Sequence, residues 1–201
     1  MELSNQVEQE ILEAAEKVFY RKGKGAASMQ DIADEAGITR TLLNYYFRSK
    51  DKLFDAVFRR TMSYMVPRVV ELMNSNLPME EFLPGIVEVF IDSMIEKPQI
   101  PIFVLQELTA NPERVPQMMK ELGVDPAKTV SRMKADNYFD GLGYDPRQFI
   151  MSILSLCIFP FAGKPMIRSI MYNDDEVAYI EAMYERKKLV PKILEQMLKI
   201  Q

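Results

Sequence analysis

Residues 28–47 read SMQDIADEAGITRTLLNYYF, and the spacing within this stretch decides the fold. Ser28 followed three residues later by Asp31 has the form of a capping box, which starts a helix by satisfying its free N–H groups. Gly37 closes that helix, because glycine enters the left-handed region without steric cost. Thr39 is a good N-cap for a second helix running from Arg40 to Phe47. Two short helices joined by so tight a turn must cross steeply, and a close crossing needs a small residue, here Ala33. Ile32, Ala36, Ile38, Leu43 and Tyr46 fall at the positions that point inward. The stretch therefore predicts a helix-turn-helix.

Working outward, Val7, Ile11, Ala14, Val18 and Phe19 form an apolar stripe at helical spacing, predicting a first helix over about 5–22. Ser49 caps a fourth helix, with Leu53, Val57, Met62 and Met65 along it. None of the twelve prolines precedes Pro67, which ends or kinks that helix. Helical patterns continue at about 79–96, 99–110, 113–121, 126–138, 146–160 and 174–199. Asn111-Pro112, Asp125-Pro126 and Asp145-Pro146 each read as a cap residue with proline at the first helical position. Strand-type alternation is not sustained anywhere. The expected fold is all-α: an N-terminal three-helix DNA-binding module with a helix-turn-helix in residues 1–50, then a larger helical bundle in residues 51–201.

Composition narrows the chemistry. Hydrophobic residues make up 48% of the 201, enough for a sizeable core. Histidine is absent, which removes the commonest metal ligand and the commonest general base at neutral pH. The lone Cys157 excludes an intrachain disulfide and fits a reducing compartment. The polar, acidic N-terminus does not match a secretory signal, and the longest apolar run, 149–161, is too short to span a membrane. A cytoplasmic protein with no membrane partner, no metal, no cofactor and no catalytic site is expected.

The net charge is −4, yet it is unevenly spread. Residues 1–16 hold five acids and no base, whereas residues 17–60 hold ten Lys and Arg against five acids. A basic excess confined to one short segment suits a DNA-reading module on an acidic body. An ordinary solvated face accounts for the charge alone equally well.

The pattern Ala15-x3-Phe19-x3-Gly23-x4-Ser28-x3-Ile32-Ala33-x2-Ala36-Gly37-Ile38-Thr39, continuing Leu43-x2-Tyr46-Phe47-x-Ser49-Lys50-Asp51-x-Leu53, resembles the TetR family of regulators. The resemblance covers about residues 11–58. It implies a bacterial homodimer that binds double-stranded operator DNA with one recognition helix per subunit. It also implies a C-terminal domain that takes a small effector and releases the operator, as in a repressor. Lys24, Leu42 and Asn44 depart from the usual family residues, so operator preference is not transferable.

Several residues are candidates for contact with DNA. Ser28 sits at a helix N-terminus, which favours a phosphate, alongside its role as a plain cap. Lys50 is placed like the family's phosphate-binding lysine, and a lysine there opposes the helix dipole. Lys24 is a further basic candidate, and Tyr46 is expected to pack its ring inward and offer its hydroxyl to phosphate. Thr39, Arg40, Thr41, Asn44 and Tyr45 are the exposed positions from which base edges would be read. Arg40 suits guanine and Asn44 adenine, each contact being worth about 1–3 kcal/mol of discrimination if bidentate. A phosphate-only role for Arg40 is equally consistent.

In the body, residues 149–159 are apolar on nearly every face and so need cover on two sides. The last helix carries a stripe of Val177, Ile180, Tyr184, Lys187, Val190, Leu194 and Met197. These helices, 146–160 and 174–199, are the expected dimer interface; the alternative is that both are internal core. Thirteen of the fifteen methionines lie after residue 61, which fits either plain core or a pocket for an unidentified apolar effector. Phe90, Met94, Phe103, Met118 and Tyr138 are the pocket candidates. Glu107 and Arg132 read as solvated surface positions, with orientation of a polar ligand as the alternative. The competing reading of the whole chain is a helical-bundle ligand carrier or enzyme with no DNA role.

Overall fold

The computed structural model describes residues 2–75, 77–125, 127, 139 and 143–199, and it is all-helical there. The expected helix over 126–138, with Tyr138 and Arg132, lies outside the described residues. The chain divides into two compact units, residues 1–64 and 65–201.

The N-terminal unit contains α1 (Glu2–Ala26), α2 (Met29–Glu35), α3 (Arg40–Tyr46) and α4 (Lys50–Met62). Helix α1 is longer than expected and is kinked at Gly23, whose φ of 72° is a conformation glycine adopts freely. Its stripe of Ile11, Ala14, Ala15, Val18 and Phe19 is buried. Helices α2 and α4 both pack against it, and α3 packs on α2. The body does not begin at residue 51: that position is inside α4, whose Leu53, Phe54, Val57 and Phe58 are buried in the N-terminal unit. Phe54 meets Phe19 edge-on at 5.0 Å between ring centres. The Tyr20 and Thr61 hydroxyls add a hydrogen bond of 2.8 Å between α1 and α4.

The body comprises α5 (Val66–Asn74), α6 (Met79–Glu96), α7 (Ile100–Ala110), α8 (Arg114–Glu121), α9 (Pro146–Ala162), α10 (Lys164–Tyr172) and α11 (Glu176–Lys199). Helix α6 is central, packing on α5, α9 and α11. Gly85 permits the approach of α5, since a Cβ there would sit 3.1 Å from Leu72 Cδ2. Helix α10 was not expected: Met166, Ile167, Ile170 and Met171 recur at helical spacing, but the run is short and no side-chain cap marks its start. Asp145 caps α9 as expected, accepting from the Arg147 N–H at 2.9 Å. Asn111 does not cap α8, which starts at Arg114; it ends α7 instead.

Proline inside α9 has a specific consequence. Pro160 has no N–H to donate to the carbonyl of Leu156, four residues earlier. Arg186 of α11 supplies the missing donor, with Nη2 2.7 Å from that oxygen. The Tyr179 hydroxyl donates to the Pro160 carbonyl at 3.1 Å, so both open ends are tied to α11.

Candidate nucleic-acid interface

The helix-turn-helix is built as its residues demand. The Ser28 side chain accepts the Asp31 N–H, and the Asp31 carboxylate accepts the Ser28 N–H at 2.9 Å. Lys22 reaches the same carboxylate at 2.8 Å. That hydrogen bond, helped by those from Ser28, holds the Asp31 carboxyl down at about 2. Helix α2 ends on Gly37 at φ 66°. The Ile38 N–H bonds back to Ala33 O and the Gly37 N–H to Asp34 O, a Schellman arrangement that satisfies the last carbonyls. Thr39 then caps α3 by accepting the Leu42 N–H at 3.2 Å.

Helix α3 is anchored by Leu43, which is fully buried. A residue turns 100° along a helix, so the positions opposite Leu43 are Thr41 and Tyr45, flanked by Asn44. All three are exposed, as are Thr39 and Arg40. Tyr45 is 80% exposed, an unusual amount of aromatic surface to leave in water, and its ring is braced edge-on by Tyr46 at 5.4 Å. Tyr46 is half-buried. This outward face is convex and carries hydroxyl, amide and phenol groups, the donors and acceptors that base edges pair with.

Two of the expected lysines are engaged inside the unit. Lys50 Nζ donates to the carbonyls of Lys24 at 2.9 Å, Gly25 at 3.4 Å and Ala27 at 2.9 Å. An ammonium has three donors, and these carbonyls take all of them. The position at the start of α4 is thus explained by the far end of α1, where a cation complements the helix dipole. Lys24 pairs with Asp51 at 3.1 Å and lies 4.9 Å from the centre of the Phe54 ring. A cation over an aromatic face is attracted by the ring quadrupole. Arg48 and Lys52 are exposed beside α3 and escaped the sequence reading.

In the body, Phe90, Met94, Phe103 and Met118 are all buried. Ser93 on α6 is also buried, 2% exposed, with a hydroxyl that has no hydrogen-bond partner. Glu107 is not on the surface: it is 3% exposed, with Arg114 Nε at 2.6 Å and Asn111 Nδ2 at 2.8 Å. An open groove of about 730 Å³ is lined by Pro84, Glu88, Tyr184, Glu185, Lys187 and Lys188, none of them an expected effector residue. Burial pushes the Cys157 thiol up to about 12, so it stays protonated and poorly nucleophilic at neutral pH.

The stripe expected along α11 is divided. Val190 and Leu194 face inward with Tyr179 and Met183, while Val177 and Tyr184 are exposed. Lys187 bridges to α6, 2.9 Å from Glu88 and 3.0 Å from Asp92. On α9, Phe149, Ile153, Cys157 and Phe161 are buried, and Met151, Leu154 and Phe159 are exposed. No single described helix is long and apolar enough to cross a membrane.

Residues 11–57 match the model of the bacterial regulatory proteins of the tetR family. Over that stretch the chain is similar to the N-terminal domain of the family. Over 83 residues it is 35% identical to the HTH-type transcriptional activator FasR of Mycolicibacterium smegmatis, covering 41% of this chain and 38% of that protein. It is 32% identical over 77 residues to the HTH-type transcriptional repressor KstR2 of Mycobacterium tuberculosis, covering 38% of each. The chain thus spans about four-tenths of the length of these TetR-like relatives. The likeness in fold extends further: a Streptomyces coelicolor protein described as a transcriptional regulator, SCO4942, superposes with a TM-score of 0.65 over 94% of this chain and 96% of its own, at 18% identity.

Proposed function

We propose that this protein is a DNA-binding transcription regulator that reads double-stranded operator DNA with α3. The observation that carries the reading is the outward face of α3, where Thr41, Asn44 and Tyr45 stand exposed on a helix fixed at both ends. Thr41 and Tyr45 lie at its centre, with Asn44 toward one edge and Arg40 in the first turn. Selection of bound duplexes from a random pool tests this. Enrichment of a defined half-site, with preference at one base position relaxed in Asn44→Ala, supports it; equal retention of all sequences by the wild type overturns it.

The active form is a homodimer, since a single seven-residue reading helix specifies few base pairs and the motif works through paired half-sites. Its support is the exposed apolar surface of the two long helices: Met151, Leu154 and Phe159 on α9, and Val177, Tyr184 and Leu189 on α11. Apolar side chains of that size left in water mark a surface with a partner. Sedimentation of Leu154→Asp/Phe159→Asp gives a monomer with weakened operator binding, whereas an unchanged dimer removes this face from the interface.

A small apolar effector, bound in the body among Phe90, Met94, Phe103 and Met118, releases the operator. Flexible, polarizable methionine beside aromatic rings accommodates varied apolar shapes. Identification of a co-purified ligand by native mass spectrometry, followed by its addition to the protein–DNA complex, tests this. FasR is named an activator and KstR2 a repressor, so the direction of control is read from transcription of the bound promoter with and without the protein.

A further inference from the structure

The N-terminal unit sorts its own cations. Of the ten Lys and Arg in residues 17–60, five are held by acids of the same unit. These are Arg21 with Glu35, Lys22 with Asp31, Lys24 with Asp51, Arg59 with Asp55 and Arg60 with Glu13. A sixth, Lys50, is spent on three backbone carbonyls. Among the described residues, Lys17, Arg40, Arg48 and Lys52 are left with no acid partner. Lys17 is on α1; the other three flank α3.

Their arrangement along the chain is pointed. Arg40 is the first residue of α3, whereas Arg48 follows its last by two and Lys52 lies in the first turn of α4. At 1.5 Å per residue the seven residues of α3 span about 10 Å. The major groove is about 12 Å wide, which admits the ~10–12 Å diameter of a helix, and is walled on each side by phosphates. Charge is therefore left uncompensated at both ends of a rod thin enough to lie between those walls. The guanidinium of Arg48 presents a planar fork of donors suited to phosphate oxygens.

Resting on the DNA-binding reading above, we propose that the phosphate backbone is gripped at the two ends of α3. Arg40 holds one end, Arg48 and Lys52 hold the other, and Lys50 is a positioning residue, not a phosphate ligand. Turning Lys50 to a phosphate would strip three carbonyls at the end of α1 of the ammonium that tethers them to α4. The turn that leads into α2 would loosen with it. Lys50 thus acts by keeping α2 and α3 registered on α4, while the counterions released on binding are those of its neighbours.

Binding to a labelled random-sequence duplex across a series of sodium chloride concentrations separates these roles, because the slope of log K against log salt counts the phosphates neutralised. Arg48→Gln and Lys52→Gln each flatten the slope by about 0.9 per subunit and weaken all sequences alike. Lys50→Met leaves the slope within error of wild type and speeds amide exchange in residues 24–28. Arg21→Gln, whose charge is already paired, moves neither. Unchanged slopes for Arg48→Gln and Lys52→Gln, or a slope loss in Lys50→Met with exchange at 24–28 unaltered, overturn the assignment while leaving the regulatory reading standing. Absence of any salt-dependent binding by the wild type overturns both. Arg48 and Lys52 are exposed, so their substitution leaves folding intact and the slopes readable even where Lys50→Met unfolds.

Discussion

In the N-terminal unit the three helices after α1 each begin with a side-chain hydroxyl that accepts a backbone N–H: Ser28, Thr39 and Ser49. In the body only α9 and α11 begin on a side-chain cap, Asp145 and Asp175, while α5, α6, α7, α8 and α10 begin at Met65, Pro78, Gln99, Glu113 and Gly163 with no such bond. The difference follows from length and task. Helices α2 and α3 have seven residues each, too few to be stable alone, and the ends of α3 must stay fixed if its outward face is to keep register. The body instead holds its helices by burying their faces against α6 and by polar ties between elements. Examples are Glu107 with Arg114, Lys187 with Asp92, and Arg186 with the Leu156 carbonyl. Local caps start every helix after α1 in the first unit, whereas packing starts most of those in the body.

The sharpest way to break that contrast is in the body. Arg114→Met leaves the buried Glu107 carboxylate without its guanidinium and is expected to cost about 3–5 kcal/mol. Urea unfolding followed by amide exchange should show α7 and α8 loosening first. A loss under 1 kcal/mol would mean that the pair contributes no more than a surface ion pair.

The next effect lies in the N-terminal unit. A Ser28→Ala/Thr39→Ala/Ser49→Ala protein should lose about 3 kcal/mol, roughly 1 per cap. Exchange should quicken in α2–α4 and not in α6, α9 or α11. Uniform quickening in both units would erase the distinction.

Ser93→Ala should do the opposite. Its hydroxyl is buried without a partner, so deletion is expected to raise stability by about 1 kcal/mol. A melting temperature that falls would show that the hydroxyl is satisfied in solution, by water or by a ligand.

The smallest effect is the pH dependence of the capping box. Asp31 titrates at about 2 when folded, against an ordinary 3.8. Its stabilising contribution is therefore complete above about 4 and is lost as pH falls through about 2. The stability difference between wild type and Asp31→Asn should be constant from neutral pH down to about 4 and shrink below it. A difference that vanishes near pH 5 would put the folded carboxyl in the usual range.

What could be read from the sequence follows the same division. The capping box at Ser28, the cap at Thr39 and the turn at Gly37 were legible because each is a signal within a few residues of the backbone it satisfies. The outward positions of α3 followed from burying Leu43. The destinations of the lysines were not legible, since Lys50 reaches carbonyls 23 to 26 residues away and Lys24 reaches Asp51. Only the docking of α4 onto α1 brings those groups together. Glu107 was misread as a surface acid, although Asn111 and Arg114 follow it at i+4 and i+7 and share its face. Helix α10 was missed although Met166, Ile167, Ile170 and Met171 share a face, because the run is short and lacks a side-chain cap.

The kink at Gly23, the carbonyls it turns outward and the lysine that collects them make α4 a part of the reading head. On the proposed reading, a fragment stopping at residue 50 would keep the outward face of α3 but lose Lys52 and the strut that keeps that face aimed. Grafting the proposed reading unit onto a foreign body therefore means carrying the chain through Tyr64, where the first compact unit ends.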